Sequence, residues 1–237
     1  MKTIVHQASS RGGANHGWLK AQHSFSFARF YNPDRMGFGL LRVLNDDIIA
    51  PSMGFGAHPH DNMEIITIPL SGALRHQDST GNQAVIETND VQIMSAGTGL
   101  THSEVNNSTK EEVKLLQIWI LPKEENIAPR YEQKTFSLDN SRNAFVTVVS
   151  PEEKDQGVWI NQDAYLSLAS LDQHVSLSYQ PRKAGNGAYI FVIEGEVEVA
   201  DTHLGKRDAM GLVEFDNFDL TALTPNTKVL VIDLPMN

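Results

Sequence analysis

Short runs of strand-forming residues, each closed by Gly, Asn, Asp or Pro, recur along almost the whole chain and constrain its fold more than any other feature. Within these runs apolar residues alternate with polar ones or form brief continuous stretches, whereas the 3.6-residue spacing of an amphipathic helix is scarce. Many short strands separated by turn residues are typical of antiparallel sandwiches and barrels. The sequence therefore predicts an all-β protein, with strands in segments such as FGLLRVLNDD, MEIITIPLSGALRHQD, VKLLQIWILP and GAYIFVIEGEVEV.

A stretch near the middle of the chain interrupts this strand pattern. Residues 121–136, LPKEENIAPRYEQKTF, combine many charges with two prolines, as is typical of a domain boundary. A weak internal echo supports a duplication, because residues 63–78 and 187–201 both show a strand, a glycine turn and a second strand. We therefore predict two domains of similar size, residues 1–125 and 126–237.

The charge balance and the lack of cysteine exclude several kinds of function. The 237-residue chain carries 19 Lys and Arg against 29 Asp and Glu, a formal net charge of −10. Phosphate-binding surfaces are usually basic, so direct nucleic-acid binding is not expected. Without cysteine the chain has no disulfide, thiolate metal ligand or cysteine nucleophile.

No apolar run approaches the length of a membrane span or a signal-peptide core, so we expect a cytoplasmic protein without membrane contact.

Two short histidine motifs contain the residue types of a metal site. His58 and His60 flank a proline in HPH, and His102 and Glu104 flank a serine in HSE. Alternate residues of an extended strand share a face, with Cα atoms about 6.6 Å apart, so each pair can direct two ligands to one point. If the two strands are neighbours, their imidazoles and carboxylate converge on a divalent ion and leave positions open for substrate.

The proline inside HPH carries a separate structural expectation. Pro59 cannot donate a hydrogen bond to a neighbouring strand, so this segment should lie at a strand end, a sheet edge or a bulge. Its fixed φ angle also favours an extended conformation for His58, which should hold both imidazoles in place before a metal binds.

Glu64 competes with Glu104 for the fourth ligand position. In an extended strand Glu64 would point to the same face as His60, but four residues of extended chain place it about 13 Å away unless residues 61 and 62 form a turn. Glu104 is therefore the preferred ligand, and Glu64 is interpreted as a carboxylate that supports the site or satisfies a buried partner.

The remaining histidines are not assigned to the metal. We expect loop or turn positions for the first three of them and surface or packing positions for the rest: His16, His23, His76, His6, His174 and His203. Gln117 and Trp119, on the predicted strand LLQIWI, either face the barrel interior or belong to an ordinary buried core.

Longer motifs resemble those of the pirin family. They are dense over residues 11–131 and include ANHGWL, HSFSFARFYNPDRMGFGLLRVLNDD, HPH, HQDSTGN and IMSAGTGLTHSE. GFGAHPHDNMEIITIPLSG and GTGLTHSEVN are also similar to the two cupin motifs, with Gly97 at the usual proline of the second. The resemblance is to quercetinase-like bacterial members, and it implies a bicupin: two antiparallel β-barrel (cupin, jelly-roll) domains, of which only the N-terminal one holds metal.

The resemblance also implies a ligand set and an activity. It implies one divalent metal ion, expected to be Fe(II), held by four side chains: His58, His60, His102 and Glu104. Nitrogen and oxygen ligands of this kind also suit Ni, Cu, Zn or Mn. The expected activity is a quercetin 2,3-dioxygenase-like cleavage of a flavonol, with a small phenolic substrate, O2 as co-substrate and Glu104 as the catalytic base.

Two other functions are compatible with the sequence. One is a metal-dependent, redox-sensitive regulatory protein, as pirin is in transcriptional regulation, and the acidic charge would then favour a protein partner over DNA. The other is a bicupin enzyme that acts on a different small phenolic or enolisable compound.

Overall fold

The computed structural model describes residues 1–237, and almost all of its regular structure is β-strand. The first half contains a 3₁₀ helix (Ala8–Ser10) and the strands β1 (Lys2–His6), β2 (Gly12–Asn15), β3 (Leu19–His23), β4 (Leu41–Ile49), β5 (Gly54–His60), β6 (Glu64–Ser71), β7 (Ala73–Asp78), β8 (Gln83–Glu87), β9 (Asp90–Ser95), β10 (Leu100–Asn106) and β11 (Val113–Ile120). The second half contains a 3₁₀ helix (Asp139–Ser141) and the strands β12 (Arg130–Thr135), β13 (Phe145–Ser150), β14 (Val158–Trp159), β15 (Tyr165–Leu171), β16 (Ser176–Tyr179), β17 (Asn186–Glu194), β18 (Val197–Val199), β19 (Thr202–Leu204), β20 (Ala209–Val213), β21 (Phe218–Ala222) and β22 (Thr227–Pro235). Neither short helix has the length or the apolar character that crossing a membrane requires.

The strands form two barrels, each made of a seven-stranded and a four-stranded sheet. The N-terminal barrel has the orders β12-β9-β6-β11-β4-β3-β2 and β5-β10-β7-β8. The C-terminal barrel has the orders β1-β20-β17-β22-β15-β13-β14 and β16-β21-β18-β19. All pairs are antiparallel except β13 with β14, so the predicted all-β architecture of two antiparallel barrels is confirmed.

The internal echo in the sequence corresponds to equivalent strands of the two barrels. β6 and β17 are each third in their seven-stranded sheet, and β7 and β18 are each third in their four-stranded sheet. The turns that follow β6 and β17 contain Gly72 and Gly195, both with φ of +80°. This left-handed conformation favours glycine, which explains the shared glycine turn.

Each barrel contains one strand from the other half of the sequence. β1 pairs with β20 of the C-terminal barrel, and β12 pairs with β9 of the N-terminal barrel. The division at residue 125 therefore stays a prediction, and strand pairing crosses it in both directions. Because these pairings join residues far apart in sequence, local patterns could not reveal them.

The apolar core joins the two barrels and fills only one of them. The largest cluster has 26 buried residues and includes Leu41 and Ile118 of the N-terminal barrel together with Tyr189 and Ile232 of the C-terminal barrel. A cluster of 16 buried residues belongs entirely to the C-terminal barrel. The N-terminal barrel has smaller clusters of 7 and 3 buried residues, because polar side chains occupy part of its interior.

Candidate metal site

The HPH and HSE motifs lie on neighbouring strands. β5 pairs with β10, so that His58 lies opposite His102 and His60 lies opposite Leu100. A bulge between His102 and Glu104 shifts the register and brings Glu104 opposite Phe55. Convergence of the two motifs on one ion requires neighbouring strands, and the pairing of β5 with β10 meets that condition.

β5 is the outer strand of its four-stranded sheet. Pro59 lies opposite Thr101 on this edge strand, where a residue without an N–H group is tolerated. The edge position predicted from the proline is confirmed. A Cβ atom at Gly54 would collide with the carbonyl oxygen of Glu104, so β5 reaches this close contact with β10 because residue 54 has no side chain.

The imidazoles of His58, His60 and His102 form a compact group, called here the histidine trio. Ring centroids are 4.9 Å apart for His58 and His60, 4.4 Å for His58 and His102, and 4.9 Å for His60 and His102. One ring nitrogen of each lies within 4.8 Å of the others. Nδ1 of His58 donates to the carbonyl of Gly56 at 2.8 Å, which leaves its Nε2 lone pair for a metal.

Burial keeps His60 and His102 in the neutral form that binds metals. Burial is the main cause, and the nearby His58 the second, of the lowered pKa of His60, which is about 4. Burial, followed by His58 and His60, lowers the pKa of His102 to about 3. Both ring nitrogens of His102 are buried without a hydrogen-bond partner. A divalent cation would satisfy one of them, so the residues present fit such an ion.

Glu104 is a buried carboxylate held by two neighbours. Nε2 of Gln117 donates to its two oxygens at 3.3 and 3.1 Å, and the hydroxyl of Thr67 donates to Oε1 at 3.4 Å. Burial raises the pKa of Glu104, while Gln117, His58 and Thr67 act in the opposite direction. Gln117 therefore faces the barrel interior beside the site, which was one of its two predicted settings.

Glu104 joins a second group of ligand atoms that overlaps the trio. Its carboxylate, a ring nitrogen of His76 and one of His102 all lie within 4.8 Å of one another. The two groups share His102, and the four predicted ligands do not form a single group at that distance.

The loop or turn position expected for His76 is wrong. His76 lies on β7 directly opposite Glu104 and is fully buried. Its Nε2 lies 3.4 Å from Oδ2 of Asp78, and its ring centroid is 5.3 Å from that of His102. The alternation of Leu74, His76 and Asp78 as buried residues was the available signal. That alternation shows which side of β7 is buried, but the position of His76 beside Glu104 also depends on the pairing of β7 with β10, which is a long-range contact.

The same expectation is wrong for His23, which ends β3 and is buried. Its Nδ1 donates to Oδ1 of Asn45 at 2.9 Å. The other four histidines lie in the predicted settings. His6 is packed against Tyr189, and three histidines are exposed: His16, His174 and His203.

Glu64 is a structural carboxylate at the start of β6. The hydroxyl of Ser95 donates to its Oε2 at 2.8 Å, and the backbone N–H of Asn161 donates to the same oxygen at 3.2 Å. Glu64 belongs to neither group of ligand atoms. Its contacts agree with the interpretation that it satisfies buried partners.

A pocket of about 210 Å³ extends from the trio into the barrel. Six apolar or aromatic side chains line it: Leu19, Ala21, Phe27, Phe55, Ile65 and Trp119. The rings of Phe27 and Trp119 meet edge to face with centroids 5.4 Å apart, and Trp119 is 5.0 Å from the ring of His60. Walls of this kind suit a flat aromatic molecule.

One polar wall of the pocket was not predicted from the sequence. Asn45 and Asp47 on β4 both line the pocket and are buried. Burial, followed by the charges of Asp46 and Glu104, raises the pKa of Asp47 to about 8. The only local signal was the pair of polar residues at alternate positions of the strand segment VLNDD.

Comparison with known proteins agrees with this geometry. The pirin family model matches residues 4–120, and the model described as quercetinase C-terminal cupin domain matches residues 147–234. A quercetin 2,3-dioxygenase from Escherichia coli is 40% identical over 234 residues, 98% of each chain. A pirin-like protein from Caulobacter vibrioides is 42% identical over 221 residues, 93% of this chain and 94% of the relative.

Solved structures give the same result. The crystal structure of the bacterial pirin YhhW in complex with nickel(II) from Escherichia coli matches with a TM-score of 0.93 at 39% identity, covering 99% of both chains. The predicted bicupin fold is therefore confirmed. With this fold, and with family models that match both halves, the chain belongs to the pirin family.

Proposed function

We propose that this protein is a metal-dependent dioxygenase that cleaves a flavonol such as quercetin. One divalent ion would be held by the four side chains of the two motifs: His58, His60, His102 and Glu104. The observation that carries the proposal is the histidine trio at one end of an aromatic pocket, with both nitrogens of its most buried ring unpaired. The similarity to a quercetin 2,3-dioxygenase supports the reaction, and the nickel(II) complex of a related pirin supports metal binding.

The ligand set suits a catalytic ion because four protein ligands leave coordination positions open. When bound, the ion supplies Lewis acidity, which lowers the pKa of a ligated substrate hydroxyl, and a point where substrate and O2 meet. We propose Fe(II) as this ion, although Ni, Cu, Zn and Mn accept the same donor types.

Glu104 would act as the base for the flavonol 3-hydroxyl. Its carboxylate is kept in place by Gln117 and Thr67. Burial raises its pKa, which makes the carboxylate a stronger acceptor for the proton of a phenolic hydroxyl. The two carboxylate oxygens allow Glu104 to serve both as ligand and as proton acceptor.

The apolar walls would hold the flavonol rings and exclude water. Phe27, Phe55 and Trp119 offer ring faces and edges to a planar substrate. Opening of the substrate ring would place both atoms of O2 in the depside product and release carbon monoxide. A dry pocket protects the reacting carbanion-like form from protonation by solvent.

The proposal is tested by loading the protein with Fe(II) without oxygen and then adding quercetin and air. We expect loss of the flavonol absorbance with release of one carbon monoxide per flavonol. Glu104→Gln should lower turnover by at least about 100-fold, because general-base catalysis contributes that much. The exposed His203 provides a control, since His203→Ala should leave turnover unchanged.

Two results would contradict the proposal. Absence of flavonol cleavage with every one of Fe, Ni, Cu, Zn and Mn would refute the activity. Full turnover in Glu104→Gln would refute the role of Glu104 as the base.

A further inference from the structure

We infer that Asp47 binds a hydroxyl group on the part of the substrate remote from the metal, and so selects polyhydroxylated flavonols over unsubstituted ones. This inference rests on the proposed function, because it names the feature of the flavonol that the same pocket recognises.

The first observation is that Asp47 is buried without the partners that other buried acids have. Asp233, in the C-terminal barrel, accepts hydrogen bonds from the hydroxyl of Tyr179 at 3.1 Å, the backbone N–H of Arg182 at 2.7 Å and Nδ2 of Asn186 at 2.6 Å. Oδ1 of Asp47 is fully buried and has no hydrogen-bond partner. Such a group costs folding free energy, and natural proteins usually satisfy it.

The second observation is that the neighbouring strands provide no donor at this level of the pocket. Asp47 lies opposite Ala21 of β3 and Leu115 of β11, and both are apolar. Asp47 itself lines the pocket. Its carboxyl group is therefore available to a ligand in the pocket instead of to the protein.

The third observation is the position of Asp47 relative to the trio. Trp119, which packs 5.0 Å from the ring of His60, lies opposite Val43 of β4. Asp47 is four residues further along the same strand, so its Cα atom is about 13 Å from that of Val43. Asp47 therefore lies at the end of the pocket away from His60.

The middle of the pocket contains the proposed base. Gln117 donates a hydrogen bond to Glu104 and lies opposite Asn45 of β4. Along β4, Asn45 lies midway between the residue opposite Trp119 and Asp47. A flavonol whose 3-hydroxyl reaches Glu104 would extend a ring along β4 toward Asp47. Flavonols such as quercetin carry hydroxyls on both outer parts of the molecule, so either orientation presents one there.

The chemistry of the carboxyl group favours a hydroxyl as its partner. A carboxylate accepts a hydrogen bond from a phenolic hydroxyl, and a protonated carboxyl can donate one to it. A ring that carries only hydrogen at this position offers neither interaction and leaves Asp47 buried and unpaired. Sites built to bind a substrate hydroxyl reject the analogue that lacks it for this reason.

The test compares quercetin with 3-hydroxyflavone, which has the same 3-hydroxy-4-carbonyl head but no other hydroxyl. Dissociation constants are measured by flavonol absorbance in metal-loaded protein without oxygen. We expect the wild type to bind quercetin about tenfold more tightly, the value of one buried hydrogen bond. Asp47→Leu should reduce this ratio to about twofold or less, whereas Asp47→Asn, which can still hydrogen-bond, should keep most of it. Asp219→Asn, a change at an exposed acid on β21, is the matched control and should keep the full ratio.

Stability provides a second readout. Because Asp47→Leu removes an unpaired buried polar group, its melting temperature should equal or exceed that of the wild type. A lower melting temperature would mean that Asp47 has a structural partner and would overturn the inference. An equal ratio for the two flavonols in the wild type, or an unchanged ratio in Asp47→Leu, would overturn it as well.

The binding test separates this inference from the proposed activity. Selective binding that depends on Asp47, without cleavage in air, would refute the activity and support the inference. Cleavage of quercetin with the same selectivity in wild type and Asp47→Leu would refute the inference and support the activity.

Discussion

Asp46 joins the two barrels at the strand that forms the polar wall of the pocket. It lies on β4 between Asn45 and Asp47, but its carboxylate faces away from the pocket, toward two cations. Oδ2 accepts from Nη1 of Arg11 at 3.1 Å and from Nε of Arg207, in the C-terminal barrel, at 2.8 Å. Replacing Asp46 by Asn would remove the charge that both guanidinium groups share and loosen this contact between the barrels.

The burial of these side chains sets the magnitude. The exposed fractions are 13% for Asp46, 9% for Arg11 and 16% for Arg207. Exposed ion pairs contribute about 0 to 1 kcal/mol, and removal of one partner from a fully buried pair costs about 3 to 5 kcal/mol. We therefore expect Asp46→Asn to lower the free energy of unfolding by about 2 kcal/mol. For a chain of this size that corresponds to a fall in Tm of about 4 to 8 °C.

Differential scanning calorimetry of the metal-free protein measures this change. Glu214→Gln is the control, because its ion pair with Lys2 has exposed fractions of 63% and 70% and its removal should change Tm very little. The lower Tm of Asp46→Asn relative to the wild type should also persist at high salt, since partly buried ion pairs are screened little. A Tm shift no larger than that of Glu214→Gln would refute the assignment of Asp46 as a contact between the barrels.

Three other perturbations test further parts of the structure. Burial, followed by the charge of Arg35, lowers the pKa of His6 from 6.5 to about 4. The neutral form therefore stabilises the fold above pH 6.5, and this stability falls as the pH drops from 6.5 toward 4. Denaturant titrations should show a loss of at most about 3 kcal/mol over that range, absent in His6→Gln. Gln117→Leu removes the donor to both oxygens of Glu104 and should lower kcat about tenfold or more without changing metal content. Pro59→Ala should weaken metal affinity a few-fold in chelator competition, because the rigid segment holds both imidazoles in advance.

Each of these expectations has a contradicting result. Equal acid sensitivity of the wild type and His6→Gln would assign the pH dependence to other groups. Loss of metal together with activity in Gln117→Leu would make Gln117 part of the metal-holding structure. Unchanged metal affinity in Pro59→Ala would reduce Pro59 to a residue that only marks the sheet edge.

The sequence predicted those features of the site that depend on local geometry. The period of two along a strand predicts that His58 lies beside His60 and His102 beside Glu104, and each pair occurs within one of the two groups of ligand atoms. The missing N–H of Pro59 indicated an edge strand. These rules act over two or three residues, so one sequence is sufficient to apply them.

Features that depend on which strands become neighbours could not be predicted in this way. His76 reaches Glu104 because β7 pairs with β10, and Asp47 faces the pocket between β3 and β11. The exchange of β1 and β12 between the barrels is of the same kind. Each pairing joins segments separated by many residues, and the local propensity of a strand does not specify its partner.

The proposed metal site is tested most directly by the metal content of protein prepared without a metal-affinity tag, compared among three forms. The structure has two overlapping groups of ligand atoms, one that contains His58 and one that contains His76. Elemental analysis after dialysis against Fe(II) should find one ion per chain in the wild type, none in His58→Ala and one in His76→Ala. Retention of the ion in His58→Ala together with its loss in His76→Ala would contradict this assignment, because the metal would then belong to the second group and not to the histidine trio.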